Sequence, residues 1–191
     1  MTCIVGFVDR YKNEIWMGGD SAGVAGLNVV LRKDTKVFKK QNMLFGYTSS
    51  FRMGQLLRFK LDIPKIEKNK DVYEYMCTDF IDSVKTCLID NGYAKISNNE
   101  TEIGTFLVGF KNRIFRISND LQVGENLYPY DSCGCGKQYA LATMKTFDYL
   151  YNKKDLQGRT IINTALRVAQ DFSGGVRKPF IILKQKNEGK L

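Results

Sequence analysis

Apolar residues near the start of the chain form two short runs, at 2–9 and 13–18, which the polar Arg10-Tyr11-Lys12 separates. Two such runs on either side of a short polar break are typical of a β-hairpin, because each run has the length of a strand and the break has the length of a turn. The sequence therefore predicts that the chain is held in a sheet from its first residues.

Five more apolar runs have the length and the flanking turns of strands. They lie at 36–40, 43–48, 103–110, 113–117 and 179–184. Gln41-Asn42 separates the first two of these runs, and Lys111-Asn112 separates the next two. Gln41-Asn42 favours a tight turn, so the first pair is predicted to be a hairpin. Lys111-Asn112 joins the two runs of the next pair.

Elsewhere the apolar spacing changes to that of helices. Residues 51–61 and 71–90 predict two helices, which a loop at Pro64 separates. In the second of them apolar side chains recur every four residues. These side chains are Val72, Met76, Phe80, Val84 and Leu88.

Two further helices are predicted in the second half of the chain. Residues 134–137 introduce the first, whose apolar face consists of Leu141, Met144, Phe147 and Leu150. The second is predicted to begin at Thr160, whose hydroxyl can cap an exposed backbone amide, and to end at Asp171. The order is then strands, two helices, strands, two helices and a strand. This order predicts an α+β fold in which two stacked sheets lie between two helical layers.

Length and composition predict one domain over 1–191, since 191 residues with 43% hydrophobic content suffice for a continuous core. No run approaches the roughly 20 apolar residues of a membrane-spanning helix, and the first residues lack the pattern of an export signal. We therefore expect a soluble cytoplasmic protein without a membrane partner. The five cysteines, an odd number, are expected to be reduced thiols.

The formal net charge of +9 raises nucleic acid as a partner, since a positive field attracts polyanions. The basic runs at 65–70 and 177–178 are more typical of solvated loops, however, so we do not favour nucleic-acid binding as the function. A metal site at Cys133 and Cys135 is a second alternative. It lacks a second ligand pair at a recognisable spacing.

The chain contains no histidine, which excludes the Ser-His and Cys-His pairs of many hydrolases. A nucleophile here needs another proton acceptor. If Met1 is removed, Thr2 gains a free α-amine, whose unperturbed pKa of roughly 7.7 to 8.0 suits a base near neutral pH. One residue would then supply both nucleophile and base. A Met-Thr start is common, so the hypothesis depends on the surrounding residues.

Those surroundings contain a series of short motifs. The first are Met1-Thr2-Cys3-Ile4-Val5-Gly6 and Gly18-Gly19-Asp20-Ser21. Later ones are Lys36-Val37, 45–57, Cys133-Gly134-Cys135-Gly136, and Asp171, Ser173, Gly174 and Gly175. In this order, and over nearly the whole chain, they resemble the motifs of proteasome β subunits and the bacterial peptidase HslV, which are proteasome-like N-terminal nucleophile hydrolases. The resemblance implies their four-layer αββα sandwich.

Carried over residue by residue, the resemblance makes Thr2 the nucleophile, Lys36 the cation that assists proton transfer and Asp20 the carboxylate that holds Lys36. A buried lysine needs a carboxylate partner, and its charge beside the Thr2 hydroxyl favours the alkoxide character that attack requires. Without the resemblance, Asp20-Ser21 would be interpreted as a turn and Lys36 as a residue on a strand edge. Lys33 is the alternative if the register is shifted.

Three positions depart from the family's pattern. The segment 47–50, Tyr-Thr-Ser-Ser, stands where the family has a glycine-rich turn, so the backbone amide of Ser50, or of Ser49 if the register is shifted, is the implied oxyanion donor. Cys135 stands where the family has a serine near the nucleophile, and a thiol is a weaker hydrogen-bond partner than a hydroxyl. Asp171 and Ser173, implied supports of the Thr2 amine, are closer in sequence than in the family.

The resemblance implies a threonine-type endopeptidase that acts on peptides or unfolded proteins through an acyl-enzyme, without a metal or an organic cofactor. It also implies a closed homo-oligomeric ring whose Thr2 sites face an internal chamber, and it leaves an ATPase unfoldase open as a partner. Two other functions stay open. One is a weakly active or inactive structural or regulatory subunit, which the departures at Ser50 and Cys135 suggest. The other is a small-molecule amidase that would not form rings.

Overall fold

The computed structural model describes residues 1–98, 100–150 and 157–186. Its strands are β1 (Cys3–Asp9), β2 (Glu14–Gly19), β3 (Ala22–Ala25), β4 (Asn28–Leu31), β5 (Val37–Lys40), β6 (Met43–Tyr47), β7 (Lys95–Ser97), β8 (Glu100–Glu102), β9 (Phe106–Phe110), β10 (Arg113–Ile117), β11 (Val123–Glu125), β12 (Tyr130–Gly134) and β13 (Ile181–Lys186). Its helices are α1 (Phe51–Phe59), α2 (Val72–Tyr75), α3 (Ile81–Asp90), α4 (Lys137–Leu150) and α5 (Gly158–Phe172). A π-helical turn at Met76–Phe80 joins α2 to α3. The fold is therefore of mixed α and β type.

The first sheet contains β12, β1, β2 and β13 in that order, and every neighbouring pair is antiparallel. Side chains of β1 alternate between two apolar clusters. Cys3 and Val5 pack with residues of α4 and α5, whereas Ile4 and Val8 pack with residues of the other large sheet. Because successive residues of a strand point to opposite faces, β1 is buried on both of its faces.

The second sheet contains β11, β10, β9, β6 and β5, again with antiparallel neighbours. Phe45 and Phe106 belong to an apolar cluster with side chains of α1, the π-helical turn and α3. Their neighbours Leu44 and Leu107 belong to the cluster that contains residues of both sheets. The apolar core of the described residues therefore has three parts, one of which joins the two sheets.

The predicted hairpins and helices are present, with differences at their ends. The last helix begins at Gly158, with Gln157 in the N-cap position, so the prediction that Thr160 caps it is wrong. Thr160 lies in the first turn, where its amide donates to the Gln157 carbonyl at 2.9 Å. Gly158 permits this start, because a Cβ there would lie 2.3 Å from the Trp16 side chain.

The sequence pattern did not predict β3, β4, β7, β8, β11 and β12. The residues of β4 are all exposed, and β7 and β8 have three residues each. The strand β12 is buried, but it contains the polar Asp131 and Ser132. The Ser132 hydroxyl donates to the Ile4 carbonyl at 2.7 Å, which satisfies a polar group that an apolar pattern would not place in a core.

Within the described ranges, no helix has both the length and the apolar content that crossing a bilayer requires.

Candidate active site

The ends of three strands bring Thr2, Asp20 and Lys36 together. Thr2 precedes β1 and Asp20 follows β2, and the antiparallel register of these two strands pairs Ile4 with Gly19. The proximity of the first two residues is thus a local consequence of the hairpin. Lys36 precedes β5, which lies at an edge of the second sheet, so it reaches the hairpin from a different part of the fold.

Two glycines allow the sheets to approach closely at this end. A Cβ at Gly19 would lie 2.8 Å from the Ile4 side chain and 3.2 Å from that of Val37. A Cβ at Gly46 would lie 2.4 Å from the Ile4 side chain. Contacts this short force a neighbour to move, so a larger residue at either position would separate the sheets and shift Lys36.

The Lys36 ammonium has three acceptors. Its Nζ atom lies 2.9 Å from Thr2 Oγ1, 2.9 Å from Asp20 Oδ1 and 2.6 Å from the Ala22 carbonyl oxygen. An ammonium carries three N–H groups, so each of them has a partner. The Lys36 and Asp20 side chains are 2% and 0% exposed, and solvent therefore screens this ion pair weakly.

Burial lowers the pKa of Lys36 below its ordinary value of 10.5, while the charge of Asp20 and its hydrogen bond act in the opposite direction. Lys36 therefore holds its proton less firmly than an exposed lysine does. Since this proton donor lies next to the Thr2 hydroxyl, the pair is suited to stabilising negative charge on Thr2 Oγ1.

Backbone amides fix the Asp20 carboxylate. Its Oδ1 atom accepts from the Cys3 amide at 3.0 Å, and its Oδ2 atom accepts from the amides of Ala22 at 2.9 Å and Arg177 at 3.4 Å. Three chain segments thus orient one carboxylate, and that carboxylate in turn positions Lys36. The contributions of Ala22 and Arg177 could not be predicted from the sequence, since a backbone amide is present whatever the residue type.

The backbone of Thr2 contacts Cys135. The Thr2 nitrogen donates to Cys135 Sγ at 3.3 Å, and the Ser173 hydroxyl donates to the same sulfur at 3.2 Å. Met1 precedes Thr2, so this nitrogen is an amide, and the Met1 carbonyl accepts from the Thr2 hydroxyl at 2.5 Å. Gly134 makes the approach feasible, because a Cβ there would lie 2.1 Å from the Thr2 carbonyl oxygen.

Asp171 does not join this network. It lies in the exposed last turn of α5, and its carboxylate makes no hydrogen bond or ion pair with the residues that the structure describes. Ser173 follows the helix as its C-cap and turns back towards Cys135. The structure therefore brings Thr2, Ser173 and Cys135 together without Asp171.

The turn at 48–50 presents a backbone amide at Ser49. The Ser50 amide donates to the Thr48 carbonyl at 2.8 Å, and the Ser50 hydroxyl caps α1 by accepting from the Arg52 amide at 3.1 Å. The Ser49 amide has no acceptor among the described residues. Ser49 has a left-handed φ of 70°, which glycine adopts more easily. Its hydroxyl accepts from the Thr105 amide at 3.2 Å, a contact that braces the turn.

A cleft of about 330 Å³ opens beside Thr2. Its walls combine the N-terminus, the β3–β4 hairpin and the turn before α1. The lining residues are Met1, Thr2, Ala22, Gly23, Val24, Ala25, Asn28, Val30, Arg32, Lys36, Tyr47, Thr48, Ser49, Ser50 and Phe51. Arg32, Phe51 and the residues of the β3–β4 hairpin were not predicted as part of the site, because the apolar pattern did not predict the strands that position most of them.

The metal site considered for Cys133 and Cys135 gains no further ligand. Across residues 1–98, 100–150 and 157–186, no three cysteine, aspartate or glutamate side chains are grouped so that they could hold a metal ion. Cys133 is buried and Cys135 is exposed. Burial raises the pKa of the Cys133 thiol well above its ordinary value, which disfavours the thiolate that a metal would need.

No protein-family model and no curated protein matches this sequence. Solved structures match it over 97% of the chain. BPH from Thiobacillus denitrificans, in complex with epoxomicin, has a TM-score of 0.78 and 15% sequence identity, with 98% of its own chain covered. Eukaryotic HslV from Trypanosoma brucei has a TM-score of 0.67 and 14% identity, with 100% covered. Anbu (ancestral beta-subunit) from Yersinia bercovieri has a TM-score of 0.63 and 14% identity, with 82% covered.

These similarities confirm, at the level of the fold, the resemblance to HslV-like proteasome-type subunits that the sequence motifs predict. Identities of 14–15% establish the fold and not the chemistry. The role of the site therefore has to be argued from its own geometry.

Proposed function

We propose that this chain, which has the fold of HslV-like proteasome-type subunits, is a threonine-type endopeptidase of the N-terminal nucleophile hydrolase class. The observation that carries the proposal is the simultaneous contact of the buried Lys36 ammonium with the Thr2 hydroxyl and the Asp20 carboxylate. Burial of such a pair costs free energy, and perturbed buried charges cluster at functional sites. We propose, too, that the two sheets and the helices form the four-layer αββα sandwich of that class.

In the proposed mechanism, Thr2 Oγ1 attacks the carbonyl carbon of a peptide bond. The hydroxyl proton passes to the α-amine that removal of Met1 exposes, while Lys36 stabilises the negative charge on the oxygen. The proton then moves to the leaving amine, and the acyl half of the peptide stays bound to Thr2 as an ester. Water, activated by the same α-amine, hydrolyses the ester and restores Thr2. No step calls for a metal or an organic cofactor.

We assign the oxyanion donor to the Ser49 amide. Ser50, the first candidate from the sequence, already uses its amide in the hydrogen bond to Thr48. The Ser49 amide has no such partner among the described residues, and Ser49 lines the cleft together with Thr2. An amide without a competing acceptor is suited to bind the oxygen that gains charge in the tetrahedral intermediate.

Cys135 and Ser173 are proposed to position the α-amine. The Thr2 nitrogen lies 3.3 Å from Cys135 Sγ, and it becomes the amine once Met1 is removed. The Ser173 hydroxyl orients the thiol from its other side. Asp171 is not assigned a role here, because its exposed carboxylate contacts neither Cys135 nor Ser173.

Intact-mass spectrometry tests the amine and the nucleophile together. We expect the purified protein to begin at Thr2, since a small second residue suits removal of methionine, and we expect epoxomicin to add its mass to that chain. Epoxomicin is the chosen probe because the similar BPH structure contains it. Thr2→Ala is the matched control and should gain no adduct. A protein that retains Met1 and still hydrolyses peptides would contradict the role of the α-amine.

We propose that the chain assembles into a closed homo-oligomeric ring whose Thr2 sites face an internal chamber, with an ATPase unfoldase as a candidate partner. A nucleophile that acts on many peptides needs to be separated from folded proteins, and a chamber provides this separation. Repeated use of one heterologous contact closes such a ring. All five cysteines are free thiols, which fits the cytoplasm as the proposed compartment.

Light scattering checks the assembly. We expect a mass many times the 21.8 kDa of one chain at working concentration. Activity on an unfolded protein should elute with the large species during gel filtration. A stable, active monomer that hydrolyses only small acyl-amino compounds would contradict the ring and would favour a small-molecule amidase as the function.

A second candidate is a weakly active structural or regulatory subunit. Two observations favour it: a thiol stands beside the Thr2 nitrogen, and Ser49 occupies a left-handed backbone conformation. Both weaken groups that the mechanism uses, because a thiol is the poorer hydrogen-bond partner and a strained turn is costly to maintain. Absence of an epoxomicin adduct on a chain that begins at Thr2 would favour this candidate.

A further inference from the structure

Arg32 lines the cleft beside Thr2 and is held there by several contacts. It follows β4, and its amide donates to the Ser21 carbonyl at 2.9 Å. A Cβ at Gly23 would lie 2.8 Å from Arg32 Cδ, so the aliphatic part of the side chain packs directly on the backbone of β3. The location of this arginine is therefore built into the fold of the hairpin.

The guanidinium is oriented as well. Its carbon atom Cζ lies 3.9 Å from the ring centroid of Phe51, and Lys36 Nζ lies 5.7 Å from the same centroid. The Phe51 ring thus contacts both cationic side chains that line the cleft. Stacking on an aromatic ring restricts the plane of a guanidinium, which fixes the direction of its N–H groups.

Asp34 uses only part of the guanidinium. Arg32 Nε donates to Asp34 Oδ1 and Nη2 donates to Asp34 Oδ2, both at 2.8 Å. Since a guanidinium carries five N–H groups, three of them have no partner among the described residues. The side chain is 39% exposed, so a ligand can reach them.

The charged groups of the cleft wall are all positive. Arg32 and Lys36 are the charged side chains among the described lining residues, and neither Asp20 nor Asp34 lines the cleft. The whole chain has a net charge of +9, which adds a long-range attraction for anions. Arg32 and Lys36 are each paired with an aspartate behind the wall, so a carboxylate that enters the cleft would meet the N–H groups of Arg32 that Asp34 does not use.

We infer that Arg32 makes this site select peptides with an acidic side chain next to the scissile bond, on the side that supplies the carbonyl. The inference rests on the proposed peptidase function and names its substrate class. The substrate carboxylate accepts hydrogen bonds from the free edge of the guanidinium, while Asp34 and Phe51 hold the other edge and the face. Arg32 and Thr2 line the same cleft, so one bound peptide can contact both groups.

Fluorogenic peptides that differ only in this residue test the inference. We expect kcat/KM to be about tenfold higher for a peptide with glutamate than for one with its uncharged isostere glutamine. A tenfold preference is what one hydrogen bond between charged groups can provide. Leucine and lysine peptides should also be poorer substrates. In Arg32→Leu the preference for glutamate over glutamine should disappear, mainly through a higher KM. Arg32→Lys keeps the positive charge but loses the planar pair of N–H donors that can bind both carboxylate oxygens, so it should retain only part of the preference.

Arg58→Leu is the matched control, since it removes one positive charge from an exposed residue outside the cleft. Its preference should equal that of the unaltered protein. Equal rates for glutamate and glutamine, or an undiminished preference in Arg32→Leu, would overturn the inference and leave the peptidase intact. If none of the peptides is hydrolysed and no epoxomicin adduct forms, the proposed function fails and the inference falls with it.

Discussion

Thr2→Ala is expected to abolish peptide hydrolysis, a loss on the order of 10⁴-fold or more, as for other nucleophiles that act as part of a unit. The substitution removes the oxygen that attacks the carbonyl in the proposed mechanism. Folding should survive, because Thr2 lies before β1 and its side chain makes only two hydrogen bonds with the described residues, one accepted from Lys36 and one donated to the Met1 carbonyl. Only the first of these remains once Met1 is removed. We expect the free energy of unfolding to fall by about 1 kcal/mol. Steady-state rates and thermal unfolding measured on the same preparation check both expectations.

Thr2→Ser is the matched control for this prediction. Serine keeps the hydroxyl and, after removal of Met1, the α-amine, so it should retain measurable turnover. Peptide hydrolysis by Thr2→Ala at the normal rate would place the nucleophile elsewhere. An inactive Thr2→Ser with normal folding would show that the threonine methyl group is needed to orient the hydroxyl.

Substitution of either member of the buried ion pair is expected to be costly for both activity and stability. Lys36→Met leaves the Asp20 carboxylate without its counter-ion, and Asp20→Asn leaves the Lys36 ammonium without its counter-ion. Both groups are almost fully buried. Breaking a buried pair in this way costs about 3–5 kcal/mol. Each single variant should therefore unfold at a lower denaturant concentration and hydrolyse peptides at a severely reduced rate.

The double variant Lys36→Met/Asp20→Asn separates the two effects. It removes both charges and so leaves neither one buried without a partner. Its loss of unfolding free energy should therefore be smaller than the sum of the losses in the two single variants. Its activity should stay as low as that of Lys36→Met, because the cation beside Thr2 is still missing. Additive stability losses would mean that the two groups do not form a coupled pair. Near-normal rates in both single variants would show that the residues are not part of the catalytic site.

The sequence allowed much of the local structure to be predicted. The β1–β2 hairpin follows from two apolar runs and a polar break, and the long helical segment at 71–90 follows from its four-residue spacing. Both signals are short-range. The strand β12 could not be predicted in this way, because the partners that satisfy Asp131 and Ser132 come from distant segments: Arg116 lies 3.6 Å from the Asp131 carboxylate, and the Ile4 carbonyl accepts from Ser132.

The candidate site, too, could be predicted only in part, because some of its contacts come from distant segments. Thr2, Asp20, Lys36, Cys135 and Ser173 were found through resemblance to a known family, and the structure brings them into one hydrogen-bonded group. Asp171 lies outside that group. The choice of Ser49 over Ser50 depends on which backbone amide already has an acceptor, and a residue type carries no information on that point.

By itself, the sequence determined the helices and strands that have a clear apolar periodicity. It also contains no histidine, which limits the kind of base that a nucleophile here could use. Only the tertiary structure decided that Lys36 meets Asp20 and Thr2. This contact joins two different sheets, and it depends on the close approach that Gly19 and Gly46 allow. Such an approach depends on packing between distant segments, and local patterns of apolar and polar residues do not specify it.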